Sequence, residues 1–112
     1  MIFRNPQRLK IYFYDKPVDM RKSWNGLIAL VKESMCLNLF SESLFVFSGR
    51  SGKQVKILYW DGNGFCIWMK KLEQGKFLSF KKEGYALSKR ELDLFLSGVD
   101  MRKKHQELHF QQ

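Results

Sequence analysis

Along residues 9–14 the chain alternates Leu9, Ile11 and Phe13 with Lys10, Tyr12 and Tyr14. That period of two predicts a strand with one face on a core and an amphipathic second face. Asp15-Lys16-Pro17 ends it, since proline has no N–H to continue a ladder. The period then changes. Met20, Trp24, Leu27, Ile28, Val31 and Met35 recur at helical spacing, which predicts a helix over about 19–36 with Asp19 as its N-cap and this stripe on the core. Gly26 weakens such a helix by about 1 kcal/mol relative to alanine.

A dense β region follows. LFVFS at 44–48 leads into Gly49-Arg50-Ser51-Gly52-Lys53, a five-residue turn with two glycines. Val55, Ile57 and Tyr59 then alternate with Lys56, Leu58 and Trp60, and Asp61-Gly62-Asn63-Gly64 carries two hairpin-turn signals. A turn centred between Gly62 and Asn63 pairs Trp60 with Phe65 and Leu58 with Ile67 on one face. It pairs Tyr59 with Cys66 and Ile57 with Trp68 on the other. Both faces are apolar near the turn, so the hairpin is expected to be central and covered on both sides. Towards its open end Lys56, Lys70 and Lys71 make it wet. Gln74-Gly75-Lys76 reads as a further turn and 77–80 as a short strand. Ser88-Lys89-Arg90-Glu91 is a capping box, and Leu92, Phe95, Leu96 and Val99 give a second, shorter helix stopped by Gly98. The order β-α-β-β-β-β-α, with strands joined by short hairpins, predicts an α+β fold. It is expected to be one domain over 1–102, an antiparallel sheet packed with two helices, with a polar tail over 103–112.

Composition adds that this domain can bury a core unaided: 45% of the 112 residues are hydrophobic. The longest apolar runs, 27–31 and 65–69, are five residues against the roughly 20 of a membrane helix. The N-terminus MIFRNPQRLK lacks a signal peptide's apolar region, so a cytoplasmic protein without membrane association is expected. Cys36 and Cys66 form no CxxC pair and are expected to behave as small buried hydrophobes.

Charge changes the picture most. Twenty Lys and Arg against eleven Asp and Glu give +9, an excess that attracts polyanions such as nucleic acid, anionic membrane or acidic protein. Arg21 and Lys22 fall in the first turn of the predicted 19–36 helix, where free N–H groups and two cations suit a phosphate, or where both side chains simply extend into solvent. A second basic group surrounds the hairpins: Arg50, Lys53 and Lys56, then Lys70, Lys71, Lys76, Lys81 and Lys82. Trp68, Phe77, Phe80 and Tyr85 are interleaved with it, as on a single-strand stacking platform or as core residues. Arg4, Arg8 and the tail basics Arg102, Lys103 and Lys104 could add to such a surface. Catalytic signals are poor. His105 and His109 share a helix face, but HQELH misplaces its Glu for a zincin and no third ligand is evident. Ser51 and Ser88 lack His–Asp partners, and Gly49-Arg50-Ser51-Gly52-Lys53 is too short for a phosphate loop. No enzyme activity, metal, cofactor or small-molecule substrate is expected.

Two stretches resemble a known family. KPVDMRKSWNGLIALV is similar to a PTDMRKGxDGLxxLV-type segment, and LFVFSGRSGKQVKILYWDGNGFCIWMKKLEQGKF to an LFVF-x-x-R…K-x-LxWDxxGFxLWxKRLExGxF signature. Both belong to the small accessory protein, often called TnpB, of the insertion sequence 66 family of bacterial transposons. LSKRELDLFLSGVD resembles that family's C-terminal helix, and the matches together span most of residues 9–102. The resemblance carries over Asp19, Met20, Arg21 and Lys22, then Arg50, Lys56, Trp60, Asp61, Gly64, Phe65, Trp68, Lys70, Leu72 and Glu73. Departures are Val18 where Thr is usual, Ser23 and Asn25 where Gly and Asp are usual, and Asn63 where a second acid is frequent. The last weakens any metal reading of the turn.

The resemblance implies an accessory protein of DNA transposition, encoded beside a separate transposase. With the charge, it leads to the expectation of DNA phosphate contacts through Arg21, Lys22, Arg50, Lys53, Lys56, Lys70 and Lys71. The alternative is an interaction module that docks the transposase or another element-encoded protein without touching DNA.

Overall fold

The computed structural model describes residues 8–79 and 82–99. Its elements are β1 (Lys10–Phe13), α1 (Trp24–Ala29) continuing as a π-helical stretch (Leu30–Met35), β2 (Ser43–Ser48), β3 (Gln54–Trp60), β4 (Phe65–Lys71), β5 (Ala86–Leu87) and α2 (Lys89–Ser97). The predicted element order and α+β class hold. One five-stranded sheet runs β4-β3-β2-β1-β5.

Its middle is β2, SLFVFS, with all six residues buried. A strand buried on both faces needs a layer on each, and alternation sorts its side chains into two cores. Leu44 and Val46 join Ile11, Phe13, Val55, Ile57, Phe77, Leu92 and Phe95 under α2. Phe45 and Phe47 join Tyr14, Val18, Leu27, Val31, Met35, Leu39 and Leu58 under α1. Each fully buried side chain of this size contributes about 1.5–3 kcal/mol.

Four features differ from the sequence-based expectation. First, β1 and β2 pair in parallel, Lys10 opposite Ser43 through Phe13 opposite Val46, while the remaining pairs are antiparallel. Parallel neighbours need a crossover, and α1 supplies it; the alternation within β1 carries no information on its partner's direction. Second, β4 is an edge strand, so the hairpin is not central, although its register is the predicted one from Trp60–Phe65 to Ile57–Trp68.

Third, the fifth strand is Ala86–Leu87 on β1 rather than 77–80. Phe77 buries its ring 5.1 Å from that of Phe95 and donates its N–H to the Gly52 carbonyl at 2.7 Å, while Lys76 bridges Val99. Fourth, α1 starts at Trp24 with Ser23 as N-cap, making no side-chain cap bond. Asp19 instead closes a turn, accepting the Arg21 N–H at 2.9 Å. The later start leaves Trp24 exposed and Met20 and Ile28 half-buried, while Leu27, Val31 and Met35 reach the core as expected.

The helix ends at Cys36, which adopts a left-handed conformation (φ 56°), and the Leu37 N–H closes back on the Val31 carbonyl at 3.1 Å. Cys36 is therefore exposed at the cap, not a buried hydrophobe, while Cys66 is half-buried. At α2 the capping box forms as predicted: the Glu91 N–H donates to Ser88 Oγ at 3.1 Å and the Ser88 N–H to Glu91 Oε1 at 3.0 Å. Lys82 adds an ion pair to the same oxygen at 2.7 Å. No helix among the described residues is long and apolar enough to cross a membrane. The tail expected over 103–112, the basics Arg4, Lys81, Arg102, Lys103 and Lys104, the histidines and Phe80 lie outside the described residues.

Two outcomes follow from these ends. Glycine bears the left-handed conformation without strain, so Cys36→Gly should raise stability by about 0.5–1 kcal/mol in urea denaturation. Lys82 first, and the Ser88 N–H second, hold the Glu91 carboxyl below its ordinary value. Its contribution is therefore complete above the unfolded glutamate value of about 4.3 and is lost as pH falls through the lower folded value. Glu91→Gln should flatten that acidic part of a pH–stability profile.

Candidate nucleic-acid interface

The parallel pairing of β1 and β2 continues past Pro17. The Val18 N–H donates to the Ser48 carbonyl at 2.9 Å, and Val18 bridges Gly49. This lays residues 18–22 across the end of the sheet where β2 turns into β3. Met20 then packs so closely on Gly49 that a Cβ there would stand 2.7 Å from Met20 Cγ, which is why the turn needs glycine. Two residues on, the Lys22 carbonyl accepts a hydrogen bond from Lys56 Nζ at 2.7 Å. Of the family-motif residues here, Met20 thus packs the segment onto the turn, while Asp19 braces it internally through Arg21.

The same end gathers the predicted cations from three separate segments. Arg21 and Lys22 are exposed on the 18–22 segment, and Arg50 and Lys53 occupy the β2–β3 turn. Lys56 lies within β3, opposite Met69, while Lys70 and Lys71 end β4 opposite Val55 and Gln54. Lys76 flanks them beside Gly52. The segments contribute two acids, Asp19 and the exposed Glu73.

These cations are not equivalent. Arg21 makes a bidentate pair with Asp19, its Nη2 2.7 Å from Oδ2, with an almost fully exposed side chain (92%). The guanidinium beside it holds the Asp19 carboxyl well below the usual carboxylate range, and the pair raises Arg21 in turn. In open solvent such a pair contributes little stability, and it compensates part of the charge Arg21 would offer a phosphate. Lys70 Nζ donates to the Leu96 carbonyl at 2.9 Å, tying β4 to α2. Lys56 is buried. Arg50 and Lys71 are exposed and make no ion pair among the described residues, and Lys53 is half-buried.

The opposite end of the sheet is aromatic. The hairpin tip closes with the Asp61 N–H donating to the Gly64 carbonyl at 2.8 Å, and Asp61 is exposed there. Trp60 and Phe65 pack edge to face at 4.9 Å, and Phe40 lies 5.0 Å from Trp60 and 5.7 Å from Phe65. Trp24 Nε1 donates to the Phe65 carbonyl at 3.1 Å, covering that part of the β4 edge. Phe40 and Trp24 stay 62% and 52% exposed. This cluster is not legible in the sequence: Phe40 belongs to no periodic run, and Trp24 falls on the stripe predicted to face the core.

The aromatics proposed for base stacking are committed elsewhere. Phe77 is in the α2 core with Trp68 packed against it, and Tyr85 stacks on Tyr14 with rings 6.3 Å apart. Burial raises the Tyr59 hydroxyl above its ordinary value, with Cys66 adding to it across the hairpin. No group of three or more His, Cys, Asp or Glu suited to a metal ion occurs among the described residues.

A family model described as IS66 Orf2 like protein matches residues 9–106. The chain belongs to the IS66 Orf2-like family. Two similar proteins come from Sinorhizobium fredii (strain NBRC 101917 / NGR234). "Uncharacterized protein y4hO" is 37% identical over 98 residues, 86% of this chain and 85% of that protein. "Uncharacterized protein y4jC" is 34% identical over 94 residues, 82% and 80% of the two. No solved structure matches the chain. Membership in the IS66 Orf2-like family carries an accessory role in transposition.

The two neighbouring lysines of β4 should separate in urea denaturation. Lys70→Met loses its half-buried, charge-assisted bond to Leu96 and should cost about 1 kcal/mol. Lys71→Met, at an exposed position, should stay within about 0.5 kcal/mol of the wild type.

Proposed function

We propose that this IS66 Orf2-like protein is a non-catalytic accessory factor that binds DNA phosphates through the basic end of its sheet and assists a separate transposase. The observation that carries this reading is the convergence of Arg21, Lys22, Arg50, Lys53, Lys56, Lys70 and Lys71 on one end of the fold, from three segments holding two acids. Lysine and arginine contacts of this kind give affinity and orientation with little base selectivity. Because Lys56 and Lys70 are tied to backbone carbonyls, the outermost phosphate contacts fall to Arg50, Lys53 and Lys71, with Lys22 alongside.

A second reading is favoured by the exposed Trp24 and Phe40 beside Trp60 and Phe65. Aromatic anchors of this type are enriched at protein interfaces, and the cluster would suit docking of the transposase or another element-encoded protein.

Fluorescence anisotropy with transposon-end duplex over a salt series tests the first reading. Affinity should fall steeply with salt, and Arg50→Ala with Lys71→Ala should reduce the log–log slope by about 2 and weaken all sequences alike. Absence of binding at moderate salt, together with nuclease-resistant capture of purified transposase that Phe40→Ala abolishes, would favour the second reading instead.

A further inference from the structure

Lys56 is buried to 8% exposure in the wall of a cleft of about 250 Å³ at the basic end. An ammonium carries three N–H donors and its burial is costly unless they and the charge are met. Among the described residues one donor is met, by the Lys22 carbonyl at 2.7 Å, and no carboxylate lies within ion-pair distance. The rest of the cleft wall is Met20, Gln54, Val55, Met69, Lys70 and Lys71; it adds the Lys71 cation, the Gln54 amide and no acid, since Lys70 turns its ammonium to Leu96 on the other face of the sheet. Met20 and Met69 flank Lys56 on its face of the sheet and lower the local dielectric, so an anion entering there meets a stronger field than on the open surface. The cleft has space for several waters at roughly 30 Å³ each, and so for one phosphate group with part of its hydration.

We propose that this cleft is a receptor for a single phosphate group, with Lys56 as its buried cation and Lys71 as the exposed cation at its rim. The proposal rests on the DNA reading for the source of the phosphate, either an internal diester or a terminal monoester. It also accounts for a lysine in the middle of β3, opposite Met69, where an uncharged side chain could fill the same space without burying a charge. When phosphate binds, the free donors and the uncompensated charge of Lys56 are satisfied together. The Lys22 carbonyl bond keeps the ammonium in place, and the packing of Met20 on Gly49 keeps that carbonyl in place.

The test is thermal unfolding of the full chain in potassium phosphate and in potassium chloride at matched ionic strength. Phosphate at ten times its Kd should shift the folding equilibrium of the wild type about tenfold beyond the general salting effect. Lys56→Met should lose this excess, and Lys71→Ala, exposed and outside the core, should weaken phosphate binding several-fold while folding normally. An equal phosphate response in both variants and the wild type would overturn the proposal. A second arm compares anisotropy competition by 5′-phosphorylated and 5′-hydroxyl 12-mer duplexes. A preference for the phosphorylated form that Lys56→Met removes assigns the cleft to a terminal monoester. Equal competition by both forms, weakened at least threefold by Lys56→Met, assigns it to an internal diester. DNA binding unchanged in Lys56→Met contradicts the cleft and leaves the DNA reading standing. Phosphate uptake through Lys56 without any DNA binding supports the cleft and contradicts the DNA reading alone.

Discussion

Complete burial of β2 is the constraint on which the rest of the fold depends. Six residues hidden on both faces must be met by apolar layers above and below, and a chain this short can build each layer from one helix. Placing β1 parallel to β2 sends the chain back over the sheet through α1, which covers Phe45 and Phe47. The return after β4 brings Phe77 and α2 to the other face, over Leu44 and Val46. With both faces occupied among the described residues, the sheet leaves its two ends and its β4 and β5 edges for recognition.

Those ends have opposite character. At one, the 18–22 segment, the β2–β3 turn and the close of β4 converge as a basic surface held by backbone-directed lysines, Lys56 to Lys22 and Lys70 to Leu96. At the other, Trp60, Phe65 and Phe40 cluster, with Trp24 shielding the first carbonyl of the edge strand. An edge covered in this way is less open to pairing with another chain. The arrangement would let one small protein hold a polyanion at one end and a protein at the other, which would suit an accessory factor of the IS66 Orf2-like family.

Much of this was legible in the sequence, for identifiable reasons. The β3–β4 register followed from Asp61-Gly62-Asn63-Gly64, because a two-residue turn leaves no freedom in pairing. The α2 cap followed from Ser88 and Glu91, whose bonds are local. Features set by long-range partners were not legible. Nothing in 9–14 says that its neighbour is parallel, and Asp19 has the chemistry of a helix cap whether it closes a helix or, as here, a turn. Phe77 looks like a strand residue until Phe95 is placed beside it. The seven cations were readable as residues, but their division into exposed, paired and buried groups came only from the fold: Lys56 and Lys70 are indistinguishable from Lys71 on paper.

The central claim, that the basic end of the sheet is the recognition surface, is tested most directly by mapping amide NMR shifts while short duplex DNA is titrated into the labelled protein. The account predicts perturbations concentrated at residues 19–22, 50–56 and 69–71, with Phe40 and Trp60 little affected. Perturbations centred instead on Trp24, Phe40, Trp60 and Phe65, or none at saturating DNA, would contradict it.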